Sequence, residues 1–282
     1  MAWTNEVVPV TSAGMSRFAD APTLLWGDEQ SGYVHDLINV VSPELLLLTV
    51  SMPTGSFYRY SSTMKALFDS DAAFYVISGE YTVQAPNTGE VCVAKAGDVM
   101  SLYGPEWYYG FNFETSECRV LEIISPPVTE ASRPKYAAIK APDKPLRGAV
   151  KAALARFPAT GGEGERRLSL VSPGQALPTI WGWDNPIRLD VFVTGPRLSV
   201  AVAKLIPGKR SDTLTFSTAA CVTCTDGELF LRRADGSDWV KMAPGDTYYL
   251  PAKTGFQLYA WGAVSGTGLI SIAGNIHDDI VE

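Results

Sequence analysis

The stretches Gly208–Gly227 (GKRSDTLTFSTAACVTCTDG) and Gly245–Ala260 (GDTYYLPAKTGFQLYA) each open on glycine and carry β-forming residues at fixed intervals. In the first, five residues separate Gly208 from Leu214. Phe216 follows two places on and Ala220 four places after that, and six further residues lead to Gly227. In the second, Gly245 leads to Pro251, Lys253, Phe256 and Ala260. Alternate residues of a strand face the same side, so Leu214 and Phe216 are expected to share a face. In the N-terminal half, Gly97–Asn112 (GDVMSLYGPEWYYGFN) has the same Gly-Asp opening. Tyr103, Pro105, Tyr108 and Asn112 stand there where Pro251, Lys253, Phe256 and Ala260 stand in the second half. The chain reads as two copies of one β unit.

Strand-like runs bounded by Gly, Pro, Asn and Asp fill both halves. In the first they are Leu45–Ser51, Ala73–Ile77, Tyr81–Ala85, Val91–Val93, Val99–Leu102 and Cys118–Ile124. In the second they are Arg188–Val193, Leu198–Leu205, Ala219–Thr225, Glu228–Arg232, Thr247–Leu250 and Gly268–Ile272. Short strands with regular turns predict a sandwich or barrel. Residues 126–180 break the pattern. They are rich in Pro, Gly and Lys, and Arg147–Phe157 (RGAVKAALARF) reads as one short helix. The expected organisation is a first barrel over residues 1–125, a linker over 126–180 and a second barrel over 181–282.

This spacing resembles the cupin superfamily, whose two motifs read G-x5-H-x-H-x(3,4)-E-x6-G and G-x5-P-x-G-x2-H-x3-N. In that family the three His and the Glu hold a divalent metal inside a small antiparallel barrel. The resemblance implies an all-β bicupin: two tandem antiparallel barrels of the double-stranded β-helix or jelly-roll type, forming a homodimer as relatives often do. Here the ligand places of the second half hold Leu214, Phe216, Ala220 and Phe256. In the first half, counting forward from Gly55 puts Ser61 and Thr63 at the His places. Counting back from Gly79 puts Ala72 at the Glu place, and Tyr108 takes the third His. Metals need His, Cys, Asp or Glu donors at fixed distances, so neither a metal nor another cofactor is expected.

Composition narrows the partners. The 282 residues have 46% hydrophobic content and a net charge of −7, which is ordinary for a globular protein. No basic run is present to release counterions from nucleic acid, and no apolar run approaches the length that spans a bilayer. A cytoplasmic protein with a small-molecule partner, and with neither nucleic acid nor membrane, is expected. Cys221 and Cys224 form a lone C-x-x-C inside an expected strand, where three-residue spacing puts the thiols on opposite faces; burial is the expected role. His35 and His277 lie outside both motifs.

The two cups are expected to differ. Leu214, Phe216, Ala220 and Phe256 fill the second. The first keeps hydroxyls and an aromatic run, suited to a planar or aromatic ligand. Tyr108 is the candidate acid/base or oxyanion donor. Arg59, if it shares the parity of Phe57 and Ser61, enters the cup to fix a substrate carboxylate, with Asp71 or Glu106 as a second acid/base group. Phe57, Ser61, Thr63, Phe74, Tyr103 and Asn112 are the candidate substrate contacts. These point to a metal-independent isomerase, lyase or cyclase acting on a small organic acid or aromatic metabolite. The alternative is a non-catalytic binding or sensor bicupin.

Overall fold

The structure is a computed structural model that describes residues 9–59, 69–86, 88–104, 107–127 and 168–279. Ser61, Thr63, Glu106 and the helix expected at Arg147–Phe157 lie outside the described residues.

Antiparallel strands dominate. In chain order the first half contains β1 (Gly14–Ser16), β2 (Thr23–Asp28), β3 (Gly32–Val41), β4 (Leu46–Met52), β5 (Phe57–Tyr58), β6 (Asp71–Ser78), β7 (Glu80–Ala85), β8 (Glu90–Lys95), β9 (Val99–Leu102), β10 (Tyr109–Phe111) and β11 (Cys118–Ser125). The second contains β12 (Leu168–Val171), β13 (Leu177–Trp181), β14 (Ile187–Val193), β15 (Ser199–Leu205), β16 (Ala220–Gly227), β17 (Leu229–Arg233), β18 (Trp239–Met242), β19 (Thr247–Leu250), β20 (Phe256–Tyr259) and β21 (Gly266–Ile272). Each half sets a seven-stranded sheet against a smaller one. The first pairs β12-β9-β6-β11-β4-β3-β2 with β5-β10-β7-β8, and the second pairs β1-β19-β16-β21-β15-β14-β13 with β18-β17-β20. Each cup is therefore a two-sheet jelly roll open at its edges, not a closed barrel. Among the described residues no helix is long and apolar enough to cross a membrane.

The large sheets pack back to back, which explains why their strands read as nearly continuous apolar runs. Leu46, Leu48, Val50 and Met52 of β4 face the first cup, while Leu47 joins the core shared with the other half. On β16, Ala220, Val222 and Cys224 face the second cup and Cys221 faces the shared core. The two thiols are thus on opposite faces, as their spacing predicts. Both are free, and burial drives both pKa values up, that of Cys224 to about 12. Burying both faces of a sheet removes the polar half of the alternation.

The halves exchange edge strands. β1, from the start of the chain, pairs with β19 in the second half, and β12 pairs with β9 in the first. The Gly-Asp turns anchor these edges in the same way. Gly97 and Gly245 have φ of 90° and 91°, a region open to glycine at little cost. Their N–H groups donate to the carbonyls of Val76 and Cys224 at 2.8 Å each. Asp246 accepts from Arg17 Nη1 at 2.7 Å and from the Phe18 N–H at 2.9 Å, so it ties down the segment that carries β1.

Candidate functional site

The interior of the first cup is built by strand alternation. On β3, Val34 and Ile38 belong to its core and Asp36 stands between them on the same face. On β11, Val120 and Ile124 belong to that core and Glu122 stands between them. Two carboxyls are thus carried inward on otherwise apolar strand faces. Tyr108, just ahead of β10, donates its hydroxyl to Glu122 Oε1 at 2.6 Å. Its ring sits edge-on to Tyr58 at 5.8 Å and to Phe74 at 5.3 Å. Trp26 meets Tyr58 edge-on at 5.7 Å, and the hydroxyls of Tyr58 and Tyr81 lie 2.6 Å apart.

Burial sets the electrostatics. A carboxylate loses its hydration inside an apolar cup, so its neutral form gains. Glu122 is raised by burial to about 7, even though the Tyr108 hydrogen bond pulls the other way. Asp36 is raised well above its usual range, first by burial and then by the charge of Glu122. Burial also raises Tyr58, helped by Tyr108 and Tyr81. Asp36 and Glu122 keep 6% and 7% of their surface accessible, whereas Leu214 and Phe256 in the second cup keep none.

Several sequence expectations meet here and others do not. Tyr108 and Phe74 lie in the first cup, side by side. Arg59 does not enter it. The inward residue of β5 is Tyr58, so the parity of this strand is shifted by one, and a one-residue slip exchanges the faces. Arg59 is exposed, donates from Nε to the Gln30 carbonyl at 3.0 Å and lies 5.2 Å from the ring centre of Phe57, itself half-buried. Asp71 also misses the cup, because Ala72, Phe74 and Val76 hold the inward face of β6. It bonds Arg197 Nη2 at 2.9 Å and accepts the Gly104 N–H at 3.1 Å, joining the halves. Tyr103 is exposed. Asn112 is buried, donates to the carbonyls of Met52, Pro53 and Ser116, and accepts the Glu114 N–H, so its amide clamps a turn. Asp36, Glu122, Tyr58 and Trp26 were not anticipated. An acid between two apolar residues of matching parity was the available signal.

In the second cup, Leu214, Phe216, Ala220 and Phe256 all lie in the core. Leu214 and Phe256 exchange backbone hydrogen bonds at 2.8 and 2.9 Å, and the rings of Phe216 and Phe256 are 6.2 Å apart.

No described protein family matches the chain by sequence, and no curated protein matches it either. Solved structures do match. An oxalate decarboxylase of Bacillus subtilis superposes with a TM-score of 0.64 at 13% identity, over 95% of this chain and 79% of that one. The oxalate decarboxylase of Lactobacillus farciminis gives 0.61 at 12% identity, over 96% and 88%. Protein Ylba of E. coli, from the DUF861 family, gives 0.63 at 10% identity, over 96% and 95%. The fold is that of a bicupin. The metal that cupins hold does not fit the described donor set. The four ligand places of the second cup carry only carbon, and Ala72 carries no donor in the first. Among the described residues no three His, Cys, Asp or Glu side chains gather as an ion would require.

Proposed function

We propose that the first cup is the working site of this bicupin and that it moves protons on a small aromatic metabolite without a bound metal, in an isomerase or lyase type of reaction. The observation that supports this reading is the 2.6 Å hydrogen bond between Tyr108 and a Glu122 held near neutrality. A carboxyl that titrates close to the operating pH can both take and return a proton. The phenol beside it supplies a donor for an oxygen that gains charge in the transition state. Trp26, Tyr58, Phe74 and Tyr108 supply apolar walls for a ring. The organic-acid alternative loses its anchor with Arg59 on the surface.

The second reading is a binder or sensor. It is favoured by the present engagement of the Tyr108 proton on Glu122, which closes the pair on itself. The test is a panel of small aromatic acids, amines and alcohols in deuterated buffer, followed by native mass spectrometry for binding and NMR for exchange at carbon. Solvent deuterium entering a bound compound, lost in Glu122→Gln and slowed in Tyr108→Phe, is the result expected of the enzyme. Binding without any exchange would leave the binder.

A further inference from the structure

We infer that the first cup takes a ligand bearing a protonated primary or secondary amine, held between Asp36 and Glu122 against the aromatic wall. This rests on the reading of that cup as the working site and adds the charge and chemical class of what enters it.

Asp36 is almost wholly buried and points inward with Val34 and Ile38, and among the described residues no group hydrogen-bonds its carboxylate. Buried polar groups are satisfied as a rule, and an unmet carboxylate is among the costliest to leave. Glu122 makes no hydrogen bond to it, and the charge of Glu122, when ionised, repels that of Asp36. Nor does the cup supply a cation. Among the described residues no Lys, Arg or His is buried. Arg59 is turned out onto Phe57, Arg119 is paired with Glu117 at 3.3 Å on the outside, and His35 is exposed. Among the described residues the interior therefore holds two acids and no basic partner. Neither acid is completely closed off from solvent.

A bound carboxylate would add its own negative charge to a poorly hydrated space that already disfavours the ionised forms of Asp36 and Glu122. An ammonium group would donate N–H bonds to Asp36 and to the free lone pairs of Glu122, which charge assistance strengthens. It would also lie among Trp26, Tyr58 and Tyr108, whose π-systems attract cations. A quaternary ammonium would satisfy the rings but not Asp36, because it has no N–H. A protonated primary or secondary amine satisfies both.

The test uses the full-length protein with three probes of one shape: benzylamine, benzyl alcohol and benzoate. Dissociation constants are measured by calorimetry from about pH 6 to about pH 8, where an ordinary amine stays protonated. The described titratable groups of this interior are Asp36, Glu122, Tyr58, Tyr81, Tyr108 and Cys118, with Cys92 packed against it; burial raises the thiols of Cys118 and Cys92 to about 12 and about 11, so both stay neutral throughout. Benzylamine is expected to bind best and to tighten about tenfold across this range, as Glu122 ionises. Asp36→Asn and Glu122→Gln are each expected to weaken it by about tenfold or more while benzyl alcohol changes little. Should a variant fail to fold, the pH profile and probe order of the unaltered protein decide alone. Benzoate binding as well as benzylamine would overturn the amine but leave the cup as a ligand site. Stabilisation by Mn²⁺ or Mg²⁺ that is lost in Asp36→Asn would overturn it in favour of an ion. Failure of all three probes at about millimolar concentration, where even weak ligands register, would overturn the amine, and the proposed site would fall too if the panel described above also found no ligand.

Discussion

Glu122 carries a consequence for stability whose sign follows from linkage. Its carboxyl is raised by burial from 4.5 to about 7 in the folded chain, so the folded state holds the proton more tightly than the unfolded one. Folding is favoured while the group is protonated in both states. That advantage is lost as pH rises from the unfolded value through about 7. Glu122→Gln keeps an acceptor for Tyr108 and removes the titration. The stability of the variant relative to the unaltered protein should therefore rise by roughly 2–3 kcal/mol between pH 5 and pH 8, read from urea unfolding at each pH. A flat difference would mean that Glu122 is not desolvated. A second residue, Lys253, has φ of 61° and stands where the motif G-x5-P-x-G has its second glycine. A side chain there is strained, so Lys253→Gly should raise stability by about 0.5–1 kcal/mol in the same assay. Motif spacing made Tyr108 legible, because counting from Gly97 does not depend on which face a strand presents. Arg59 was misread because its face was inferred from parity, counted back through Ser61 and Thr63. The acids were invisible to a motif that looks for His and Glu at set places, since Asp36 and Glu122 stand on strands the motif does not name.

The Gly-Asp turn is the repeated device among the elements, and its two copies do different amounts of work. Asp98 accepts the Lys95 N–H at 2.9 Å. Asp246 accepts the Ala243 N–H at 3.0 Å and also holds Arg17 and Phe18. Leaving such donors unmet costs about 1–3 kcal/mol each when they are buried, and less at half-exposed groups such as Arg17. Asp246→Ala should then cost about 2–4 kcal/mol and open the chain near Gly14 to protease, whereas Asp98→Ala should cost about 1 kcal/mol. Equal losses would show that the Arg17 and Phe18 contacts contribute nothing. Val99–Leu102 and Thr247–Leu250 were legible to the residue, because a Gly-Asp turn marks the start of each and a β-rich run follows. β1 and β12 were not. Three or four residues carry no periodicity, and each finds its partner strand across the molecule. β3, which carries Asp36, was passed over because His35, Asp36 and Asn39 interrupt its apolar run.

At the scale of the whole molecule, the halves are joined by more than a linker. Each lends the other an edge strand, and the faces of the large sheets that point away from the cups share one core, with Leu47, Leu121 and Ile123 from one side and Val200, Cys221 and Leu269 from the other. Arg197 adds bonds across this seam to Asp69 and Asp71, at 3.0 and 2.9 Å. Neither half can open without exposing that core and stripping an edge from its neighbour, so the pair should unfold as one unit even though the chain is long enough for two domains. Leu121 is fully buried at the centre of the seam. Leu121→Ala leaves a cavity there and should cost about 2–5 kcal/mol. The informative measurement is hydrogen exchange in urea, followed separately in peptides from β4 and from β15. Their midpoints should coincide in the unaltered protein and move together in the variant, although β15 lies in the other half. A shift confined to β4 would show that the shared core does not couple the cups, and the acid pair in the first could then loosen without the second registering it.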